Sequence, residues 1–354
     1  MPSTKGYHSY HGKGGAGKIV LIVLLCLILF AAVGFLILQR YAVYGADGSI
    51  RFELPWKRTE QPIQPDTPDD ASQPEQPDII IDEPETPERV EPQELHATAL
   101  GDDAQRGGID ELLAALPDDI NAVAVRMKNE RGELLYASAL TEAIDAGAVQ
   151  GGSASRTAVE TLMASGRYTI ARISALHDSL YSLAHMADAA ILQINYPGYI
   201  WYAPDSSFYL APEKAAAREY IVSIARECAA LGFDELLFDS FGYPAQGRLS
   251  NIDESTRTIS KSAALAQLSR ELRDGTKEYG VRLSVMLNEA TVLAGGNDAT
   301  GQDLSALADA FDRIYVETTA EQIPALTAAF EGLDVEWIPM LHEARADGSY
   351  LLVS

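Results

Sequence analysis

One carboxylate stands where a short apolar run of this 354-residue chain ends. The run 236–238 (Leu-Leu-Phe) leads directly into Asp239, and Gly242 and Pro244 follow shortly afterwards. An apolar run bounded by turn residues is typical of a buried parallel strand. Because a buried carboxylate without a role is costly, we expect Asp239 to do chemistry at the carboxyl end of that strand, where α/β barrels place their active sites. Alternatively, Asp239 caps the next element or pairs with an arginine of the barrel.

Two glutamates could supply a second carboxyl group. Glycoside hydrolysis needs one group that protonates the leaving oxygen and another that attacks the sugar or activates water. With Asp239 as the candidate nucleophile, Glu289, just past the predicted fifth strand, is the first candidate for the acid, and Glu317, at the end of the predicted sixth strand, is the second. The apolar surroundings of a barrel mouth can provide the raised pKa that a general acid requires. In the alternative interpretation both glutamates are solvated loop residues.

Other polar residues lie in or just after predicted strands. Arg172 falls inside the predicted third strand, where a charged residue needs a carboxylate partner, and Asp239 is the candidate. His177 and Asp178 follow the same strand, and His342 follows the predicted seventh strand, so all three are candidates for substrate contacts. The alternative for Arg172 is a structural ion pair, and the alternative for His342 is a structural role. No two histidines have metal-ligand spacing, so we predict neither a metal site nor a cofactor.

Aromatic residues are concentrated in the loop after the predicted third strand: Tyr196, Tyr199, Trp201, Tyr202, Phe208 and Tyr209. Aromatic faces suit the C–H faces of sugars and give concave binding sites much of their area. We therefore predict substrate contacts for Trp201 and Tyr209, with Trp201 as an exposed platform. The alternative is that these side chains only fold the loop onto the barrel rim.

Strand-like and helix-like patterns alternate from residue 95 onward. Eight strands are predicted, at residues 95–100, 122–127, 168–174, 235–239, 282–287, 313–316, 335–340 and 350–353. The alternation predicts an α/β fold, specifically a (β/α)8 TIM-type barrel over residues 95–354. The last repeat is truncated, because few residues separate the seventh and eighth strands. A doubly wound open sheet is the alternative, although no Gly-x-Gly-x-x-Gly follows the first strand.

The first 94 residues have a different organisation. Residues 1–18 carry lysines and no acid, and residues 19–38 contain no charged side chain, a length that spans about 30 Å as a helix. We predict a single-pass transmembrane helix at the cell membrane, with a cytoplasmic N-terminus and an extracytoplasmic C-terminal domain. A cleavable signal peptide is the alternative, but it would have a shorter apolar core. We predict a short hairpin at residues 39–58 and a disordered, acidic, proline-rich linker at residues 59–94.

The net charge of the chain argues against some classes of binding partner. The formal net charge is −24, and residues 59–94 carry −11 of it, from twelve acids and one arginine. This acidity argues against nucleic acid as a partner, because its phosphates would be repelled. Two cysteines are too few for a disulfide framework. No Gly-x-Ser-x-Gly elbow is present, which argues against a serine hydrolase.

Several stretches resemble the bacterial putative glycosyl hydrolase family, whose members have an α-amylase-like barrel. LGFDELLFDSFGYP at 231–244 is similar to the family pattern GFDEIQFDYVRFP, and the other agreeing stretches are INAVAVRMKNERGELLYAS at 120–138, YTIARISALHD at 168–178, YGVRLSV at 279–285 and TGQDLSALADAFDRI at 300–314. The resemblance covers nearly all of 95–354 and implies a nucleophilic role for Asp239. The chain departs from it at Ser240, Gly242 and Met286, where the family has Tyr, Arg and commonly Asp.

These observations predict a membrane-anchored, extracytoplasmic glycoside hydrolase-like protein that acts on a cell-surface or wall polysaccharide through paired carboxylates. One alternative is a non-catalytic carbohydrate-binding protein that uses the same groove, and another is a structural protein of the envelope. Asp239 and Glu289 favour hydrolysis, whereas the departures at Gly242 and Met286 favour binding alone. The partner in either case is a glycan.

Overall fold

The computed structural model describes residues 42–44, 50–52 and 91–353, except for 103, 105–107 and 256. The chain divides into two units, Met1–Ile81 and Asp82–Ser354. In the first unit, β1 (Ala42–Tyr44) and β2 (Ile50–Phe52) pair in antiparallel fashion. The predicted segments 1–18 and 19–38, and the predicted linker as far as residue 90, lie outside the described residues. Among the residues that are described, no helix is long and apolar enough to cross a bilayer.

The second unit is built on a closed barrel. Its strands, in chain order, are β3 (His96–Ala99), β4 (Ala122–Lys128), β5 (Tyr168–Ser174), β6 (Glu235–Asp239), β7 (Arg282–Asn288), β8 (Gly296–Asn297), β9 (Gln302–Asp303), β10 (Arg313–Glu317), β11 (Glu336–Leu341) and β12 (Tyr350–Leu352). All of them except β8 and β9 form one closed sheet of eight parallel strands, and β12 pairs with β3 to complete the circle. Strands β8 and β9 form a small antiparallel hairpin.

Helices connect most of the strands. They are α1 (Ile109–Ala114), α2 (Thr141–Asp145), α3 (Ser153–Ala164), α4 (Ser179–Ala184), α5 (Met186–Ala189), α6 (Ala215–Ala230), α7 (Lys261–Thr276), α8 (Glu289–Leu293), α9 (Leu304–Ala310) and α10 (Ile323–Ala329). The apolar faces of the longer helices pack against the outward-facing strand residues and form a large apolar cluster with them. No helix lies between β11 and β12, so the prediction of a truncated last repeat is confirmed.

The interior of the barrel follows from the two-residue period of its strands. In β6, Leu237 belongs to the inner apolar cluster, whereas Leu236 and Phe238 belong to the outer one. The same alternation places Ala124 of β4 and Ile170 of β5 inside. One step of two residues further along each strand comes a polar residue, and these residues form the layer at the carboxyl ends of the strands.

The opposite end of the barrel is closed by buried ionic contacts. Arg313, with only 2% of its side chain exposed, forms ion pairs with the fully buried Glu235 and with Glu336. Tyr168 and Ser284 donate hydrogen bonds to Glu235 at 3.1 and 2.5 Å. These ion pairs and hydrogen bonds fill the interior of the barrel at its amino-terminal end.

The eight predicted strands are all present, and the predicted (β/α)8 TIM-type barrel is confirmed. The open doubly wound sheet is wrong, since the hydrogen bonding continues from β12 to β3 without an edge.

Candidate active site

Asp239 ends β6 at the mouth of the barrel, between two arginines. The alternation along β4 and β5 turns Arg126 and Arg172 inward, and the two residues are direct partners in the sheet register. Arg126 donates from Nη1 to Asp239 Oδ2 at 2.9 Å, and Arg172 Nη2 lies 3.6 Å from the same oxygen. The Asp239 side chain is 7% exposed, and its carboxyl group is held by the guanidinium groups of Arg126 on β4 and Arg172 on β5.

The two arginines have different electrostatic environments. Burial alone would lower the pKa of Arg126, but the carboxylates of Asp239 and Asp102 more than offset it and raise that pKa above its ordinary value. Asp102 accepts a hydrogen bond from Arg126 Nε at 3.1 Å. Burial lowers the pKa of Arg172, and the like charge of Arg126 lowers it further. Arg126 is therefore the firmly paired cation, and Arg172 is the less compensated one.

Two buried polar atoms at this position have no hydrogen-bond partner among the described residues: Asp239 Oδ1 and Arg172 Nε. Unsatisfied buried groups are uncommon in folded proteins and are often found at functional sites. The next residue, Ser240, has a φ of 50°, a left-handed conformation that side-chain-bearing residues seldom adopt. Strain and an unsatisfied acceptor thus coincide at the end of β6.

The two candidate acids follow the next two strands of the barrel, β7 and β10. Glu289 is the first residue of α8, is half-buried, and accepts a hydrogen bond from Thr318 Oγ1 at 2.7 Å. Glu317, which ends β10, has 52% of its side chain exposed, and its negative charge offsets part of the lowering of the pKa of Arg172 that burial causes. Asp239, Glu289 and Glu317 therefore lie at the carboxyl ends of three consecutive strands. Glu289 has the more fixed geometry of the two glutamates.

His177, which follows β5, is buried against an aromatic side chain. His177 stacks on Tyr209, with ring centroids 4.4 Å apart and planes 5° from parallel. Its Nε2 atom is buried and has no hydrogen-bond partner in the part of the chain that the structure describes, and burial lowers the pKa of His177. Burial also raises the pKa of Tyr209, to about 12. This stacked pair lies in the loops above the barrel mouth.

Asp178 was predicted to contact substrate, but its side chain is completely buried. It forms an ion pair with Lys128 Nζ at 2.9 Å, and it caps α4 by accepting a hydrogen bond from the backbone N–H of Tyr181 at 2.8 Å. Lys128 in turn donates to the backbone carbonyl of Ser174 at 2.7 Å. This placement gives Asp178 a structural function, which is to fix the first turn of α4 against β4.

Trp201 was predicted to be an exposed platform, and this is wrong because its side chain is 2% exposed. The indole packs with apolar residues of the loops after β5 and β6, and its N–H donates to the backbone carbonyl of Arg248 at 3.1 Å. Burial is favourable for the largest apolar side chain of this loop once its N–H has a partner. The exposed aromatic residues of the same loop are Tyr196, Tyr199 and Tyr202.

His342 follows β11 and has 64% of its side chain exposed. Its Nδ1 atom lies 3.1 Å from the backbone carbonyl of Val353, and its Nε2 atom lies 3.9 Å from Glu317 Oε1. The structure thus brings His342 next to one of the candidate acids.

Two departures from the family pattern have a structural explanation. A Cβ atom at Gly242 would lie 3.2 Å from Gln302 Nε2 and from the Thr300 Cβ, so the loop of the β8–β9 hairpin occupies the space beside this residue. Gln302 Nε2 donates to the carbonyl of Phe241 at 2.9 Å. Met286 lies on β7 and packs against the inner apolar cluster. An apolar side chain therefore stands where the resemblance implies a carboxylate.

Arg126 was missed by the sequence reasoning, although a signal was present. The run Ala122–Lys128 alternates small inward residues with larger outward ones, and Arg126 continues the inward set. Arg126, like Arg172, is a charged residue inside an apolar strand.

The chain is similar to one known protein family and to solved structures. The family described as "Putative glycosyl hydrolase domain" matches residues 97–316. No curated protein sequence matches the chain. Among solved structures, a hypothetical protein from Ruminiclostridium thermocellum is 22% identical, with a TM-score of 0.45, over 53% of this chain and 96% of that one. The PgaB (BpsB) glycoside hydrolase domain from Bordetella bronchiseptica is 16% identical, with a TM-score of 0.49, over 71% of this chain and 84% of that one.

A third solved structure is the glycoside hydrolase domain of PelA from Pseudomonas aeruginosa. It is 13% identical, with a TM-score of 0.40, over 71% of this chain and 84% of that one.

Proposed function

The chain belongs to the family described as "Putative glycosyl hydrolase domain", and from that premise we propose that its barrel hydrolyses glycosidic bonds with Asp239 as the nucleophile. The observation that carries the proposal is the arrangement at the end of β6. A buried carboxylate is held by Arg126 and Arg172 through one oxygen, Oδ2, while its other oxygen has no hydrogen-bond partner among the described residues. A carboxylate anchored through one oxygen can present the other to the anomeric carbon of a sugar.

The second carboxyl group in the proposal is Glu289. Its hydrogen bond from Thr318 fixes the carboxyl group beside β7, the strand next to Asp239. An acid whose position is fixed is better suited to protonating a leaving oxygen than a mobile one, because proton transfer requires the two groups to be within hydrogen-bond reach. Glu317 is the second candidate, since it lies near Arg172 and is accessible from solvent.

The cellular setting in the proposal rests on the sequence. Residues 19–38 contain no charged side chain and would anchor the protein in the cell membrane with the N-terminus in the cytoplasm. The acidic, proline-rich residues 59–94 would then hold the barrel away from the membrane surface. The substrate in this setting is a polysaccharide of the cell surface or wall.

A non-catalytic glycan-binding function is the second candidate. It is favoured by the departures at Gly242 and Met286, which remove two polar groups that the family pattern places near the barrel mouth. A binding protein would retain affinity for a glycan without releasing product.

A panel of wall and storage polysaccharides tests the proposal. Incubation of the full-length chain with each polysaccharide should release new reducing ends from at least one member. If none is cleaved while one or more is bound, the binding function replaces the hydrolase.

The identity of the acid is tested with two variants, Glu289→Gln and Glu317→Gln. Loss of a general acid should slow hydrolysis of the polysaccharide by roughly 10²–10⁴-fold. The same variant should retain far more activity on a dinitrophenyl glycoside, because that leaving group departs without protonation. We expect this pattern for Glu289→Gln. Its appearance in Glu317→Gln alone would assign the acid to Glu317.

A further inference from the structure

A second concave site lies on the same end of the barrel as Asp239. It is a cavity of about 330 Å³ between the loop that follows β5 and the loop that follows β6, and Gln193, Trp201, Tyr202, Arg248 and Asn251 are among the residues that line it. We propose that this cavity is an accessory subsite that binds one or two neutral sugar units of a glycan whose other units lie at the barrel mouth. The assignment of a glycan as the ligand rests on the proposed function.

The aromatic lining of the cavity is the first argument. Trp201 is buried against the loop, while Tyr202 has 57% of its surface exposed. An exposed aromatic ring beside a buried one presents an apolar surface to the C–H face of a sugar, and this contact requires no charge on the ligand. The cavity volume is near the lower end of the range for small-molecule sites, about 300–1,000 Å³, which fits a ligand of one or two sugar rings.

The polar lining is the second argument. Gln193 and Asn251 are half-buried residues with amide side chains, and Arg248 is exposed. Amides both donate and accept hydrogen bonds, as sugar hydroxyls do, and no carboxylate lines the cavity among the described residues. The set therefore matches a neutral, hydroxyl-rich ligand better than a cation.

The rigidity of the two loops is the third argument. The backbone N–H of Trp201 donates to the carbonyl of Ile191 at 2.8 Å, which closes the first loop on itself. The N–H of Ile194 donates to the carbonyl of Asn251 at 2.8 Å, and the N–H of Asp253 donates to the carbonyl of Leu192 at 2.9 Å, so that the two loops are joined. A cavity that is already formed loses less conformational entropy when it binds a ligand.

The location of the cavity indicates that its ligand is part of a longer glycan chain. Both lining loops follow barrel strands, β5 and β6, and Asp239 ends β6. A glycan chain that occupies the barrel mouth can thus continue over this surface. Occupation of both positions would favour long chains over short ones, because a second binding event on one chain is intramolecular.

Binding of neutral hexasaccharides tests the proposal independently of turnover. Isothermal titration of cellohexaose, chitohexaose and maltohexaose would be carried out with the full-length chain carrying Asp239→Asn, so that no product forms. In that background, Tyr202→Ala and Arg248→Ala should each weaken binding of the preferred hexasaccharide by about fivefold. The Arg248 backbone carbonyl that holds Trp201 remains in both variants.

Tyr279→Ala is the matched control. Tyr279 is also an exposed tyrosine, at 41%, but it lies shortly before β7 begins at Arg282 and therefore at the other end of the barrel. Its substitution should leave the affinity within twofold of the parent. Affinities within twofold for all three variants, or no binding of any hexasaccharide at millimolar concentration, would overturn the subsite. Tyr202-dependent binding without hydrolysis by the wild-type chain would support the subsite and refute the hydrolase.

Discussion

Removal of the Arg126 guanidinium tests whether the site is organised by its ion pairs. In Arg126→Met, the Asp239 carboxylate loses a hydrogen bond of 2.9 Å within a pair whose side chains are 16% and 7% exposed. Breaking a buried pair of this kind costs about 3–5 kcal/mol of unfolding free energy. Because Arg172 remains 3.6 Å from the same oxygen, we expect the lower end of that range, about 3 kcal/mol. The second partner, Asp102, is 59% exposed and adds less than about 1 kcal/mol.

The assay is a double-mutant cycle in chemical denaturation. The variants are Arg126→Met, Asp239→Asn and their combination, and the cycle isolates the energy of the pair from other effects of each change. We expect a coupling energy of at least about 1.5 kcal/mol, and a fall in Tm of roughly 6–12 °C for Arg126→Met alone.

Arg131→Met is the control for the loss of an arginine near the barrel mouth. Arg131 is 71% exposed and lies 3.6 Å from Glu133, so its removal should change the unfolding free energy by less than about 0.5 kcal/mol. A coupling energy below about 0.5 kcal/mol between Arg126 and Asp239 would refute the reasoning, because the carboxylate would then not depend on that cation.

Two further predictions concern the surroundings of the site. Burial lowers the pKa of His177 below its unfolded value of about 6.5. Because the unfolded chain then binds the proton more readily, the fold should become less stable as the pH falls through 6.5. The variant His177→Phe keeps a ring stacked on Tyr209, and its Tm should fall less than that of the wild type between pH 7 and pH 5. At Gly132, where φ is 95°, a Cβ atom would lie 2.2 Å from Asp178 Oδ1. At Gly147, where φ is also positive at 69°, a Cβ atom would meet nothing within 4 Å. Gly132→Ala should therefore reduce the unfolding free energy by at least about 2 kcal/mol more than Gly147→Ala.

Two outcomes would contradict these predictions. Equal losses of Tm for the wild type and His177→Phe over that pH interval would show that the imidazole is not protonated at a cost to the fold. Equal unfolding free energies for the two alanine variants, measured by urea denaturation, would show that the contact with Asp178 relaxes freely.

The strands of the barrel were predictable because each apolar run has the length and the bounding turn residues of a buried parallel strand. The same pattern predicts which side chains face inward, and it would have identified Arg126 had it been applied to β4 as it was to β5. Position along the strand was sufficient for Asp239, since a residue that ends an inward-facing series must lie at the barrel mouth.

The loops were less predictable, because their side chains are placed by contacts distant in sequence. Trp201 is buried by residues of the following loop, and its indole N–H is satisfied by the carbonyl of Arg248, 47 positions later. Asp178 is paired with Lys128, a fully buried lysine of β4 that follows an irregularity in the strand register. Neither partner can be inferred from local composition, so the sequence suggested substrate contacts where the structure has packing.

The most direct test of the account is the hydrolysis of one polysaccharide by the wild-type chain and by Asp239→Asn, with circular dichroism to confirm that both are folded. If Asp239 is the nucleophile, the wild type should release reducing ends, and the variant should be slower by at least roughly 10³-fold, because the amide cannot form the glycosyl ester. Equal rates from the two folded proteins would contradict the assignment of Asp239 and, with it, the proposed chemistry of this barrel.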